Sequence, residues 1–355
     1  MRPSFRSIAS AALLAALSLP LRAADIQVAC VGNSITAGYG LAWHEDYPTK
    51  LDSILGTGYA VTNYGNSGKT MVRGSSDTYW SQTQFANALA AKPDIVVIEL
   101  GTNDSKTYIW PTYGKDFKAD YRAMVDTFRT SSPKPEVWIT LQPRANKPSW
   151  NMYDSTIAKE INPLIRAVAL EAAAPLIDLR AGFAGHPEWY LDDSVHPNAV
   201  GAIELAKLVA GMLTRSPVAI KRETSGTLTV SQGCGFQWYR NGVLLPGDTA
   251  QTLKSTLSGS YKVSVKVDAA TESRLVSSEA TMSVGVSERS PSTIALRVGS
   301  SGRLEIQAPA DAGPVSVLLR DSHGKTVSVG SVRSGVYLYE LSARDVQQKG
   351  RLVVP

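Results

Sequence analysis

Four short stretches of this 355-residue chain hold residue types that can do chemistry together: GNSIT (32–36), NYGNSGKT (63–70), GTND (101–104) and DDSVHPN (192–198). A serine hydroxyl is a weak nucleophile until a neighbouring base accepts its proton. Ser34 is the candidate hydroxyl, and His196 is the candidate base, because an imidazole titrates near working pH. Asp193, three residues before His196, is placed to accept from Nδ1–H, fixing the tautomer and stabilising the imidazolium as it forms. The oxyanion of a tetrahedral intermediate needs fixed donors. The N–H groups of Ser34 and Gly68 and the side-chain amide of Asn103 are the candidates. Gly68 lets substrate approach the backbone closely, and Asn103 is a donor that does not titrate away. The set fits acyl transfer.

Each residue also has an ordinary structural reading. Ser34 can cap a helix, Gly68 can make a turn, and Asn103 can make an Asx-turn. The chemical reading rests on their joint occurrence with the Asp193–His196 pair. Asp192 is a rival to Asp193 for the orienting role, and Asp104 reads as a structural partner of its loop.

The elements around these stretches explain how they can meet. Strand-like runs at 26–31, 59–63, 94–100, 136–141 and 176–179 alternate with helical patterns at 47–55, 82–91, 117–130, 157–174 and 198–213. The last helix follows Pro197, a residue suited to a first helical turn. Runs such as DIVVIEL lack alternation, as parallel strands covered on both faces do. The pattern predicts a three-layer α/β/α domain with a parallel sheet, flavodoxin-like in type. The chemical stretches then fall just beyond the carboxyl ends of the strands, or just before the last helix, where open α/β sheets bind ligands.

Together, GNSIT, the NxxxSGxT pattern of 63–70, GTND and DxxHPN resemble the four blocks of the SGNH (GDSL-like) hydrolase family, in order across 26–214. The resemblance implies that Ser34, Gly68, Asn103 and His196 are the four signature residues and that Asp193 completes the triad. It further implies a carboxylic ester hydrolase needing neither metal nor organic cofactor. Asn33 departs from the aspartate that many members carry, which alters the field beside the serine. GNSIT and GTND look most like the carbohydrate O-acetylesterase branch. The expected substrate is therefore a carbohydrate ester such as acetylated xylan. The alternatives are a lipase or thioesterase acting on longer acyl chains, and a noncatalytic glycan-binding surface protein. Trp80, Trp110, Trp150 and Trp189 fall in predicted loops and are candidate sugar platforms or, equally, loop anchors. Arg73, Arg144 and Lys106 are candidates to meet an acidic substituent. The other histidines, His44, His186 and His323, read as surface residues.

Composition bounds the rest. The opening MRPSFRSIASAALLAALSLPLRAADIQ has the layout of a secretory signal peptide over 1–23, which implies a secreted or cell-surface protein. Without that segment the formal charge drops from +5 to +2. No basic cluster remains to track a phosphate backbone, so nucleic acid is not an expected partner. The two cysteines, Cys30 and Cys234, lie in different predicted domains and read as separate thiols. No cysteine–histidine spacing suits a metal.

After Arg215 the chain turns rich in Ser, Thr and Val. FQWYRNGVLLPGDT reads as strand, Asn-Gly turn, strand, and SGSYKVSVKV alternates with period two. Trp238 and Tyr261 sit where a core tryptophan and a tyrosine corner would in an immunoglobulin-like sandwich spanning 218–286, most simply a spacer. Val263 stands where the inter-sheet disulfide would need a cysteine. Residues 290–355 form another small β unit, similar to the C-terminal sorting domains of the type IX secretion system. That similarity implies a bacterial exported protein with the secretion machinery as partner. The α/β domain is thus expected over 24–215, followed by two small all-β domains.

Overall fold

The structure is a computed structural model that describes residues 25–131, 133–223, 226–282, 295–298, 304–307, 315–320, 325–328, 335–343 and 346–354. The signal-peptide reading of 1–23 and His323 lie outside the described residues. Two units are distinguished, one reaching to Met282 and the other made mainly of Ser283–Pro355.

In the first unit, five strands, β1 (Ile26–Gly32), β2 (Tyr59–Gly65), β3 (Ile95–Glu99), β4 (Glu136–Leu141) and β5 (Leu176–Asp178), pair in parallel in the order β2-β1-β3-β4-β5. Successive side chains of a strand point to opposite faces. In β1, Ala29 and Val31 enter one core while Val28 and Cys30 enter the other. In β4, Val137 and Ile139 face the first core and Trp138 the second. Both faces need helical cover, hence the missing polar alternation.

The helices are α1 (Ser34–Ala37), α2 (Tyr47–Leu55), α3 (Thr83–Ala90), α4 (Trp110–Tyr113), α5 (Phe117–Arg129), α6 (Asp154–Thr156), α7 (Asn162–Glu171), α8 (Leu179–Gly182) and α9 (Ala199–Leu213). A π-helical turn, Ile157–Ile161, joins α6 to α7. Residues of α3, α5 and α7 build the first core, among them Phe85, Tyr121, Phe128 and Ile165. Residues of α2 and α9, among them Tyr47, Leu51, Leu205 and Val209, build the second. The expected three-layer α/β/α arrangement is therefore what the chain forms. The α2 helix begins on Asp46, whose carboxylate accepts from the Thr49 N–H. The α9 helix begins on Asn198, whose side chain accepts from the Gly201 N–H; both are ordinary N-caps.

The parallel sheet does not end at β5. Strands β6 (Ile220–Arg222), β7 (Thr227–Val230), β8 (Phe236–Arg240), β9 (Val243–Leu244), β10 (Thr252–Lys254), β11 (Gly259–Lys266), β12 (Arg274–Val276) and β13 (Ala280–Met282) follow in sequence. β12 lies antiparallel beside β5, with Arg274 opposite Leu176, so β5-β12-β11-β8-β9 continues one sheet. A separate sheet, β10-β7-β6, completes this part. Trp238 and Tyr261 are both fully buried. Asn241 and Gly242, with φ of 52° and 77°, close the β8–β9 hairpin as the Asn-Gly pair demands. The seam with β5 is held by side chains as well: Asp178 N–H donates to Ser273 Oγ (3.0 Å), Glu272 N–H donates to Asp178 Oδ2 (2.8 Å), and Tyr239 donates its hydroxyl to the Leu170 carbonyl. Val267 and Leu275 pack on the second core.

In the second unit, β14 (Ala295–Val298) and β15 (Leu304–Gln307) form one hairpin. β16 (Ser316–Arg320), β17 (Thr326–Val327), β18 (Gly335–Ala343) and β19 (Val346–Val354) form an antiparallel sheet in the order β17-β16-β18-β19. The hairpins anticipated at SVLLRDSHGKTVSV and at the final two strands are present as β16–β17 and β18–β19. Both cysteines are free, Cys30 buried and Cys234 exposed. Burial pushes the Cys30 thiol up to about 12, so it stays protonated and inert.

Candidate active site

Each of the four stretches reaches the carboxyl edge of the parallel sheet through its own turn. β1 ends at Gly32, and Asn33 caps the one-turn helix α1 by accepting the Ile35 N–H on Oδ1 (2.8 Å). Ser34 is therefore the first residue of that turn. Gly38, at φ 80°, closes it by donating its N–H to the Ser34 carbonyl (3.0 Å). The second stretch follows β2. Asn63 Nδ2 donates to the Thr36 carbonyl (2.9 Å), tying the strand to the α1 turn, and Gly68 adopts φ 80° in the loop beyond.

The third stretch follows β3. Asn103 donates one amide hydrogen to the Lys69 carbonyl (3.2 Å), leaving a second for the cleft it lines. Asp104 beside it is wholly buried, and its carboxylate accepts the N–H groups of Met71 and Val72 at 2.9–3.1 Å. It knits the second and third loops together, the structural role read from the sequence. Burial dominates there and raises its carboxyl to about 7 despite those donors.

The fourth stretch makes a tight turn before α9. Asp193 Oδ1 accepts the N–H groups of Val195 and His196, each at 2.9 Å, while Ser194 takes φ 56°. That turn brings Asp193 Oδ2 to 2.7 Å from His196 Nδ1. His196 Nε2 lies 2.7 Å from Ser34 Oγ across 162 residues of sequence. Asp192 makes no such contact with the ring. Burial alone raises the Asp193 carboxyl, but hydrogen bonds from the His196 ring and from the two N–H groups outweigh it and hold it below the ordinary carboxylate range. Neither the Ser34 nor the Gly68 N–H is spent on a hydrogen bond within the described residues.

These residues line a cleft of about 440 Å³, together with Tyr39, Ser67, Lys106, Tyr108, Trp150, Asn151, Met152 and Val195. Of the four tryptophans singled out in the sequence, only Trp150 reaches it, with its ring 5.8 Å from that of His196. The other three do not line it and follow the loop-anchor alternative of the sequence reading. Trp80 donates to the Met71 carbonyl beneath Arg73, Trp110 donates to Glu160, and Trp189 stacks on His186 at 3.8 Å. Burying an indole requires a partner for its N–H, which these loops supply for Trp80 and Trp110. Tyr39 was not anticipated. Its ring lies 4.4 Å from His196, and its position five residues after Ser34, just past the Gly38 cap, was the available signal. Of the three basic candidates, Lys106 lines the cleft, Arg144 lines a second cavity of about 510 Å³ across the Ser194 turn, and Arg73 covers Trp80.

Asn33 has a physical reason for not being aspartate. Glu99, at the end of β3, is wholly buried behind the α1 turn. Its carboxyl is contacted only by neutral donors, Thr36 Oγ1 at 3.2 Å and Asn33 Nδ2 at 3.4 Å. Desolvation outweighs them and raises its pKa from 4.5 to about 8. A second carboxylate at position 33 would face it directly. The raised value has a pH signature. The folded state holds the Glu99 proton more tightly than the unfolded chain, so this stabilising contribution is full below about 4.5 and disappears as pH rises toward about 8. The free energy of unfolding should fall across that window by an amount on the order of a few kcal/mol, lowering the melting temperature with it, and Glu99→Gln should flatten the fall. Asn33→Asp should steepen it. Melting curves from pH 5 to 9 on the three proteins test this, and parallel curves would refute it.

Residues 30–202 match the model of the GDSL-like Lipase/Acylhydrolase family. Over 216 residues, 55% of this chain and 45% of the relative, the sequence is 38% identical to an acetylxylan esterase of Xylanibacter ruminicola. Over 192 residues, 52% of this chain and 86% of the relative, it is 27% identical to an arylesterase of Vibrio mimicus. The chain thus spans less than half the length of the first of these relatives. A solved carbohydrate acetylesterase from Sinorhizobium meliloti aligns at 22% identity and a TM-score of 0.44, covering 53% of this chain and 97% of that one. Residues 30–202, the span that matches the GDSL-like lipase/acylhydrolase model, carry the four stretches and the cleft they line.

Proposed function

We propose that the protein is a serine-type carboxylic ester hydrolase that removes O-acetyl groups from carbohydrate, acetylated xylan among its substrates. The observation that carries this reading is the hydrogen-bonded line from Ser34 Oγ through the His196 ring to Asp193. Ser34 attacks the ester carbonyl while His196 Nε2 takes its proton. Asp193 holds the ring and balances its charge. The tetrahedral oxyanion is met by the Ser34 and Gly68 N–H groups and the free amide hydrogen of Asn103, donors fixed before the reaction begins. His196 then protonates the departing sugar oxygen, leaving an acetyl ester on Ser34. Water enters, His196 takes its proton, acetate departs, and the proton returns to Ser34.

The acetyl preference is supported by the cleft lining, where Met152 and Val195 are the only aliphatic side chains among aromatic and polar ones. A long acyl chain has no aliphatic channel to follow there. The similarity to an acetylxylan esterase points the same way. Aryl acetate should be cleaved at least about tenfold faster in kcat/KM than aryl octanoate, since several methylenes must go unburied. The reverse order would favour the lipase or thioesterase reading. Acetate release from acetylated xylan, followed in parallel, tests the carbohydrate assignment.

A further inference from the structure

The exposed aromatic residues are not scattered. Among the described residues, the exposed large apolar side chains include five aromatics: Tyr39, Trp43, Tyr108, Trp150 and Tyr153. All five lie on the loops that follow β1, β3 and β4, the same edge that carries Ser34, Asn103 and the cleft. Trp43 stands out furthest, at 86% exposure. Of the exposed aliphatics, Ile26 starts β1 at the opposite edge, Ile54 lies on α2, Val200 lies on the first turn of α9, and Val243, Leu257 and Leu318 lie beyond the α/β part.

Exposed apolar groups gathered on one edge mark a binding surface. Their chemistry narrows the occupant. A lipid or acyl chain would be met by aliphatic side chains, of which the cleft holds only Met152 and Val195. Flat rings suit the apolar faces of sugar rings, and the cleft intersperses them with Ser67, Lys106 and Asn151, donors suited to hydroxyls. Tyr39 and Trp150 are in edge-to-face contact at 6.4 Å and stand beside His196, so they would flank the ring bearing the ester. Tyr108 also lines the cleft, whereas Trp43 and Tyr153 lie outside it. The aromatic surface therefore extends past the space a single sugar needs.

We propose that this edge is an extended platform for a polysaccharide chain of several rings, with Trp43 and Tyr153 holding rings away from the reacting ester. The inference rests on the carbohydrate esterase reading above and deepens it. The experiment compares kcat/KM on acetylated xylo-oligosaccharides of one to six rings for the wild type, Trp43→Ala, Tyr153→Ala and the double variant, with aryl acetate as a measure of the reacting centre. In the wild type, kcat/KM should climb by about tenfold or more with ring number. Each substitution should remove roughly threefold to tenfold of that gain, the effect of an aromatic contact worth about 0.5–1.5 kcal/mol, and should do so mainly through KM. A flat dependence on ring number in the wild type, with the one-ring acetate cleaved, would overturn the platform alone, as would a double variant keeping the full gain. Inertness toward acetylated sugars of every length, with aryl acetate still cleaved, would overturn the substrate reading and the platform with it.

Discussion

Ser34→Ala should reduce kcat on aryl acetate by about 10⁴–10⁶ while leaving the melting temperature close to that of the wild type. The two halves of this expectation have separate reasons. The only side-chain hydrogen bond of Ser34 is to His196, and the turn that presents it is held by Asn33, Gly38 and Asn63. Alanine fits that turn without a new contact, so the fold has little to lose. Chemistry loses the atom that forms the acyl bond, and the remaining donors can only polarise the ester toward water. Asp193→Asn should fall short of the same loss, by analogy with a triad whose orienting carboxylate was replaced and which lost about 10⁴. Burst kinetics with a nitrophenyl acetate and a thermal melt measure both halves. Retention of more than about a tenth of the activity in Ser34→Ala would show that another group attacks the ester.

The second large effect concerns a residue with no chemistry of its own. Gly65 ends β2 against the back of the α1 turn, where an added Cβ would stand 2.2 Å from the Ala37 nitrogen and 2.6 Å from its Cα. Both obstacles are backbone, so no rotamer change relieves them. Gly65→Ala should cost about 3 kcal/mol or more, the upper range for overpacking. It should also move Ser34, because Ala37 belongs to the same four-residue helix. We expect a melt lowered by several degrees and, in the protein that still folds, a fall in kcat well beyond any rise in KM. Gly68→Ala is the instructive contrast. Nothing lies within 4 Å of its added Cβ, and the folding penalty there comes only from φ 80°. Comparable drops in melting temperature for the two variants would argue against this account.

Much of this was readable before any coordinates. The five parallel strands announced themselves as apolar runs without alternation, because each is covered on both faces. Ser34, Asp193 and His196 were legible because their spacing to strand ends is set by topology, and the parallel sheet leaves one edge for ligands. Two classes of feature were not legible. For Trp80, Trp110 and Trp189 the choice between sugar platform and loop anchor stayed open because residue type does not reveal what a side chain will contact, and here Met71, Glu160 and the His186 ring claim them. Glu99 and Asn33 sit 66 residues apart, and only pairing of β1 with β3 makes them neighbours. The joining of β12 to β5 was likewise invisible: the two strands are three residues long and register at Arg274 opposite Leu176, too little for a pattern.

That seam alters how the strands after Arg215 relate to catalysis. A module on a slack tether samples many poses, and its influence on a distant reaction is governed by tether length. Here the strands up to Met282 are registered against β5 through backbone and side-chain bonds, including the one that Glu272 makes to the cap of α8. Whatever those strands grip would be presented to the catalytic edge at one set angle and distance, like a workpiece in a jig. Lengthening residues 214–219 should therefore leave that presentation unchanged, whereas disturbing Arg274 or Ser273 should not.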